Sequence, residues 1–108
     1  MVEVAITRSS DGAITACAAH GHAGPAPDAV CAGVSALIQG AALGLERRLH
    51  LEIGVQAGDG RFSFRLPAGV PAALQSRAQD ILETMVLGLA EIEAQAPRRV
   101  RLSRGGPR

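Results

Sequence analysis

Residues 29–45 contain no charged side chain, and this stretch constrains the fold most, because it has to be buried against protein or lipid. Apolar residues recur in it and beyond it at the spacing of one helix face: Val30, Val34, Leu37, Ile38, Ala41, Leu45 and Leu49. The stretch is short for a membrane span, is rich in Ala and Gly, and carries Ser35 and Gln39. We therefore expect a buried helix of a soluble domain and no membrane insertion.

A second stripe of this helix consists of small residues, namely Gly33, Ala36, Gly40 and Gly44. A glycine inside a helix costs about 1 kcal/mol relative to alanine. Glycines on one side therefore indicate that another backbone approaches closely, either the sheet or a second subunit; a shallow core is the simpler alternative. Since most soluble oligomers are symmetric pairs, we expect a homodimer.

Alternating apolar residues predict two β-hairpins. In the first, a strand starting at Val2 is followed by a turn cluster at residues 9–12 and a second strand over residues 13–19. In the second, the alternation runs through residues 51–55 and 62–66, with turn residues between them.

A second helix is predicted between Pro71, which suits a first helical turn, and Pro97, which ends it. Residues 100–102 form a possible last short strand, and residues 103–108 read as a frayed tail. The order β-β-α-β-β-α predicts an α+β fold, a mostly antiparallel sheet with two helices packed on one face. The 108 residues suffice for one domain.

Composition narrows the class of protein. The chain lacks Trp and Tyr, so its core is mainly aliphatic, and its net charge of +1 indicates neither a strong nucleic-acid surface nor an acidic partner. Two cysteines, Cys17 and Cys31, make no disulfide scaffold and have no metal-ligand spacing, so we expect no metal, no cofactor and a cytoplasmic location. Glu3 and Arg8 interrupt the first apolar run, which argues against a signal segment.

Candidate chemistry lies where the long apolar helix begins. Asp28 is a suitable N-cap, which puts Cys31 at the third helical position, near free N–H groups and the positive end of the helix dipole. Both favour a thiolate, and the N–H groups could also stabilise an oxyanion. A histidine from the preceding strand end, His22, would serve as general base or as imidazolium partner.

Structural alternatives exist for each of these residues. A lone cysteine in an Ala-rich helix is commonly a small core residue, and Cys17 is expected to be one. His20 rivals His22, because alternation puts both on one face of the strand. Ser35, one turn after Cys31, either lines the site or bonds its own backbone.

An RNA-binding or ribosome-assembly module without catalytic activity is the alternative function. It rests on an arginine cluster that could contact phosphates: Arg98, Arg99, Arg101, Arg104 and Arg108. The scarcity of aromatic residues argues against base stacking, and we expect no direct nucleic-acid binding.

Two linked motifs, residues 21–23 (Gly-His-Ala) and 28–37 (Asp-x-Val-Cys-Ala-Gly-x-Ser-Ala-Leu), resemble the ribosomal-processing cysteine protease family called Prp. The likeness extends over nearly the whole chain, although the loop at residues 24–27 is shorter than usual for that family. The resemblance implies that His22 and Cys31 form a catalytic dyad. It also implies a dimeric endopeptidase that removes the N-terminal extension of a large-subunit ribosomal protein precursor during ribosome assembly.

Overall fold

A computed structural model describes residues 1–21 and 28–103 of the chain. Five strands form one sheet in the order β3-β4-β2-β1-β5. The elements in chain order are β1 (Val2–Arg8), β2 (Ile14–His20), α1 (Ala29–Leu43) continuing into a π-helical turn (Gly44–Arg48), β3 (Gly54–Gly58), β4 (Arg61–Arg65), α2 (Ala72–Gln95) and β5 (Val100–Ser103). The predicted α+β class and element order are confirmed.

The sheet is antiparallel except at one edge, where β5 runs parallel to β1. Parallel neighbours need a long crossover connection, and here the intervening elements include both helices. Ser103, which the sequence assigns to the tail, pairs with Ala5 at the end of β5. Residues 104–108, the rest of that expected tail, lie outside the described residues.

Burial alternates along β1, whose Val2, Val4 and Ile6 point into the core while Glu3 and Ala5 are exposed. The core is largely aliphatic, as the composition predicts, and its fully buried side chains include Ile38 of α1 and Leu82 of α2.

The third strand begins at Gly54, three residues later than the alternation starting at Leu51 suggests. The Leu51 N–H donates to the Leu45 carbonyl at 3.1 Å, and the Leu49 N–H donates to Gly44 at 3.3 Å. Because these residues still satisfy carbonyls at the end of the helical segment, they cannot yet enter the sheet ladder.

The small-residue stripe of α1 divides between two environments. A Cβ on Gly33 would lie 3.3 Å from the Ile92 side chain, and one on Gly44 would lie 3.5 Å from Ile81, so both glycines face α2 of the same chain. Ala36 and Gly40 are exposed. Close approach at Gly33 and Gly44 is therefore to the second helix, and the sheet is not involved.

One helical stretch, Ala29–Arg48, is long and apolar enough to cross a membrane when judged by length and composition alone. In the fold, its Val34, Ile38 and Leu45 side chains lie in the core. Packing explains the apolar residues on one side of the helix, while the other side is exposed and also carries no charge, so the expected buried helix is buried on one face only.

Candidate active site

The first turn of α1 is held by Asp28, which occupies the predicted N-cap position. Its Oδ1 accepts hydrogen bonds from the backbone N–H groups of Val30 at 2.8 Å and Cys31 at 3.1 Å. The Ala32 N–H donates to the Asp28 carbonyl at 2.9 Å. Cys31 therefore sits at the third position of a helix whose first turn is capped by the Asp28 side chain.

This capping corrects one expectation from the sequence. The N–H groups of Val30 and Cys31 are occupied by the Asp28 carboxylate, so they are not free donors for an oxyanion. The positive end of the α1 dipole still lies near Cys31, because it arises from the aligned peptide groups of the whole helix, but the Asp28 carboxylate opposes it there.

Asp28 has a second partner that sequence reasoning missed. Its Oδ2 accepts a hydrogen bond from the guanidinium of Arg99, a residue 71 positions away in the chain. The Asp28 side chain is only 5% exposed, so a buried carboxylate is matched by a cation. In the sequence, Arg99 stood out only as a member of the arginine cluster. That cluster suggested contacts with phosphates and not an ion pair with Asp28.

The cleft beside Cys31 has a volume of about 400 Å³ and lies between the N-terminal half of α1 and the turn joining β3 to β4. Ser35 and Gln39 line it, each one helical turn further along α1. From the hairpin side it is lined by Asp59 and Phe62, among other residues. The structure thus brings Cys31 and Ser35 together, while Asp28 supports the helix from its cap.

The turn between β3 and β4, which forms one wall of the cleft, has a conformation that its sequence explains. Asp59 and Gly60 have φ angles of 49° and 73°, the left-handed values that a two-residue turn of type I′ requires at both central positions. The Gly60 carbonyl accepts a hydrogen bond from the Gly21 N–H at 3.2 Å, so this turn is tied to the end of β2. The sequence marked the turn but gave no signal that it faces Cys31.

Gly21, the first residue of the Gly-His-Ala motif, is required by geometry. Its φ is +99°, and a Cβ at this position would lie 2.3 Å from the Met1 carbonyl oxygen. No side chain fits there without a shift of the backbone. His22 and the loop at residues 24–27 lie outside the described residues.

His20, the alternative histidine, lies in a cross-strand row with Glu3 and Arg61. Its Nε2 atom is 3.5 Å from Glu3 Oε2, and Glu3 is on the sheet face turned away from the core. His20 also borders the Cys31 cleft, but its ring has a carboxylate partner.

The two cysteines differ in environment, and neither is in a disulfide. Cys17 is 1% exposed, and burial raises the pKa of its thiol to about 12. Cys31 is half-buried and lines the cleft. Cys17 is thus a core side chain, as expected, and Cys31 is the more accessible of the two thiols.

Elsewhere on the surface, a larger hollow of about 560 Å³ lies on the open face of the sheet and has no cysteine in its lining. Within residues 1–21 and 28–103, no group of three or more His, Cys, Asp or Glu side chains is placed to hold a metal ion.

A half-buried thiol at the start of a capped helix, opening onto a cleft in a small α+β domain, has the placement that a cysteine hydrolase requires of its nucleophile. The comparison with protein families gives the particular one. The model of the cysteine protease Prp family matches residues 1–101, and the chain belongs to that family of hydrolases.

Solved structures agree with this assignment. The ribosomal processing protease Prp from S. aureus, in complex with a covalently linked product peptide, is 30% identical, with a TM-score of 0.82 and coverage of 97% of this chain and 100% of that one. The same protease with a substrate peptide gives 29% identity, a TM-score of 0.83 and the same coverage. SMU.848 from Streptococcus mutans, at 22% identity, 98% and 95% coverage and a TM-score of 0.84, shares the fold. A comparison with curated proteins found no match.

Proposed function

We propose that this protein is an endopeptidase that uses Cys31 as nucleophile and His22 as general base, and that it removes an N-terminal extension from a large-subunit ribosomal protein precursor. The observation that carries the proposal is the Cys31 thiol at the head of α1, facing a cleft, in a member of a cysteine protease family. His20 is directed to Glu3 on the sheet face turned away from the core, and this placement supports His22 as the catalytic imidazole.

In the proposed reaction, His22 takes the thiol proton and the Cys31 sulfur attacks the scissile carbonyl carbon. The tetrahedral oxyanion collapses to a thioester, and the leaving amine receives the proton from His22. Water, deprotonated by His22, then hydrolyses the thioester and regenerates the thiol. The positive end of α1 stabilises the thiolate before attack.

The cleft suits an extended peptide. A second hollow of about 310 Å³ shares Gln39 and Phe62 with the first and continues along α1 towards β3. Leu43 and Val55, which line it, are 44% and 47% exposed. The distance along α1 from Cys31 to Leu43 is about 18 Å, the length of about five extended residues. β3 is an edge strand, so its free side can also pair with a peptide backbone.

The central test is incubation of the purified protein with the precursor form of the organism's own ribosomal protein, followed by mass spectrometry of the new N-terminus. We expect cleavage by the wild type and by Cys17→Ala, and none by Cys31→Ala or His22→Ala. Circular dichroism checks folding. Full activity in Cys31→Ala would rule out the proposed nucleophile.

The groove formed by the cleft and the second hollow can be tested separately. Leu43→Glu and Val55→Glu should raise KM several-fold with little change in kcat, because they alter contacts remote from the reacting bond. Leu87→Glu is the matched control, since Leu87 is 72% exposed on α2 and lines neither hollow. An equal effect of all three variants would contradict a substrate groove along α1.

We also propose a homodimer. Its support is the exposed side of α1, where Ala29, Ala32, Ala36 and Gly40 form an uncharged face. Sedimentation at micromolar concentration should give a dimer for the wild type and for Ala94→Arg on the exposed side of α2, and a monomer for Ala36→Arg. A monomeric wild type would contradict this proposal.

The proposed setting is ribosome assembly in the cytoplasm, without direct binding to RNA. Two arginines of the basic cluster have carboxylate partners, since Arg99 pairs with Asp28 and Arg101 Nη1 lies 3.7 Å from Glu3. These pairs leave less positive charge for phosphate contacts. Filter binding to ribosomal RNA at physiological salt should therefore show no retention above that of an uncharged control protein.

A further inference from the structure

Arg99 is placed to control the charge beside the nucleophile. Asp28 holds the first turn of α1 through Oδ1, which accepts N–H groups from Val30 and Cys31 itself, and through Oδ2 it accepts the Arg99 guanidinium. A single carboxylate therefore connects the backbone of the cysteine to a cation that comes from the opposite end of the chain.

The backbone of Arg99 is itself held in place. Its carbonyl accepts the Val2 N–H at 2.8 Å, and its N–H donates to the Ala96 carbonyl at 3.0 Å. These bonds set the short connection between α2 and β5 against β1. The guanidinium is thus delivered to Asp28 from a fixed part of the fold.

The electrostatic consequence concerns the thiolate. The Asp28 carboxylate places a negative charge beside Cys31, and like charges repel, so the cap that orders the helix needs a counter-charge when the sulfur acts as an anion. A guanidinium on the second carboxylate oxygen offsets that charge without taking the N–H bonds away. Loss of the guanidinium leaves a buried charge without this partner, which weakens the cap as well.

We propose that Arg99 is a positioning residue for Cys31, acting through Asp28 to keep the first turn of α1 ordered and the carboxylate neutralised. Its meaning for catalysis rests on the proposed function, but its effect on the thiol does not.

The experiment measures the alkylation rate of Cys31 by iodoacetamide at pH 7, located by mass spectrometry of the Cys31 peptide. Arg99→Ala should slow alkylation about three- to fivefold, the size of a charge effect at a helix N-terminus. Arg99→Lys should recover part of the loss. Arg101→Ala is the matched control and should react at the wild-type rate, because Arg101 is 67% exposed and pairs with Glu3.

A second pair of variants tests the route through Asp28. Asn caps helices as well as Asp but carries no charge. In an Asp28→Asn background, Arg99→Ala should therefore change the rate by less than twofold. A wild-type rate in folded Arg99→Ala would overturn the proposal, and so would an undiminished effect of Arg99→Ala beside Asp28→Asn. If Arg99→Ala does not fold, Arg99→Gln, which keeps a long polar side chain without the charge, takes its place in both comparisons, and a wild-type alkylation rate in Arg99→Gln overturns the proposal.

Peptide cleavage by the wild type is measured separately. Slow alkylation in Arg99→Ala together with no cleavage of any ribosomal precursor would retain this inference and remove the proposed function. Cleavage with an unchanged alkylation rate would do the reverse.

Discussion

Replacing Gly21 by alanine tests whether the strand end that leads into His22 is held by a steric requirement. Gly21 has a φ of +99°, and an added Cβ would lie 2.3 Å from the Met1 carbonyl oxygen. Gly12 provides a matched control, because its φ of +91° is nearly the same while nothing lies within 4 Å of its Cβ position. The two variants share the backbone strain, and only Gly21→Ala has the collision.

The expected losses of stability follow from the backbone strain and from the collision with the Met1 carbonyl. Alanine at a left-handed φ costs about 1–2 kcal/mol, which applies to both variants. The collision requires a movement of about 1 Å, comparable to overpacking a core, and adds about 2 kcal/mol for Gly21→Ala alone. The Met1 carbonyl cannot move freely, since the next residue, Val2, donates its N–H to Arg99 at 2.8 Å.

Thermal unfolding followed by circular dichroism measures the difference. In a domain of this size, 2 kcal/mol corresponds to about 8 °C, so Gly21→Ala should melt about 8 °C below Gly12→Ala. Equal melting temperatures for the two variants would refute the reasoning, because they would mean that the Met1 carbonyl imposes no constraint on the strand end.

Two further outcomes are expected. Burial raises the pKa of Cys17 to about 12, from an ordinary value of 9.0, so the stability that this neutral thiol contributes is complete below about pH 9 and is lost as the pH rises towards 12. The loss should be about 1.4 kcal/mol per pH unit between these values and should be absent in Cys17→Ala. The chain has no Lys or Tyr whose titration would obscure the effect. Equal losses of stability at alkaline pH in both proteins would contradict the burial argument. Gln79 accepts the Ile14 N–H at 2.7 Å and donates to the Ile14 carbonyl at 2.9 Å. Gln79→Ala should therefore lower the free energy of unfolding in urea by about 2 kcal/mol. Gln95→Ala, at the exposed end of α2, is the control and should lower it far less. Similar costs for the two glutamine variants would show that the Ile14 bonds add nothing.

The candidate site combines three parts of the chain with different origins. The start of α1 supplies the thiol and its cap, the turn between β3 and β4 supplies the opposite wall, and the connection between α2 and β5 supplies Arg99. A change in any of these parts alters the environment of Cys31, so variants distant in sequence are expected to affect the same reaction.

Local patterns in the sequence were sufficient for much of this architecture. Alternation in β1, helical spacing through Val34 and Ile38, and the capping residue Asp28 each depend on neighbours a few positions away, and the structure confirms all three. Cys31 could be located at the third helical position for the same reason. The late start of β3 could not, because it depends on how the preceding helical segment ends.

Only the tertiary structure decided what approaches these elements. The glycines of α1 indicated close contact, but α2 was identified as the neighbour of Gly33 only once the helices were packed. Arg99 lies 71 residues from Asp28, and no local spacing relates the two. Their pairing arises because β5 joins β1 in parallel, which brings the end of α2 back to the start of α1. Short-range chemistry therefore determined most of the strands and helices and the position of Cys31, and long-range packing determined the charges and walls around it.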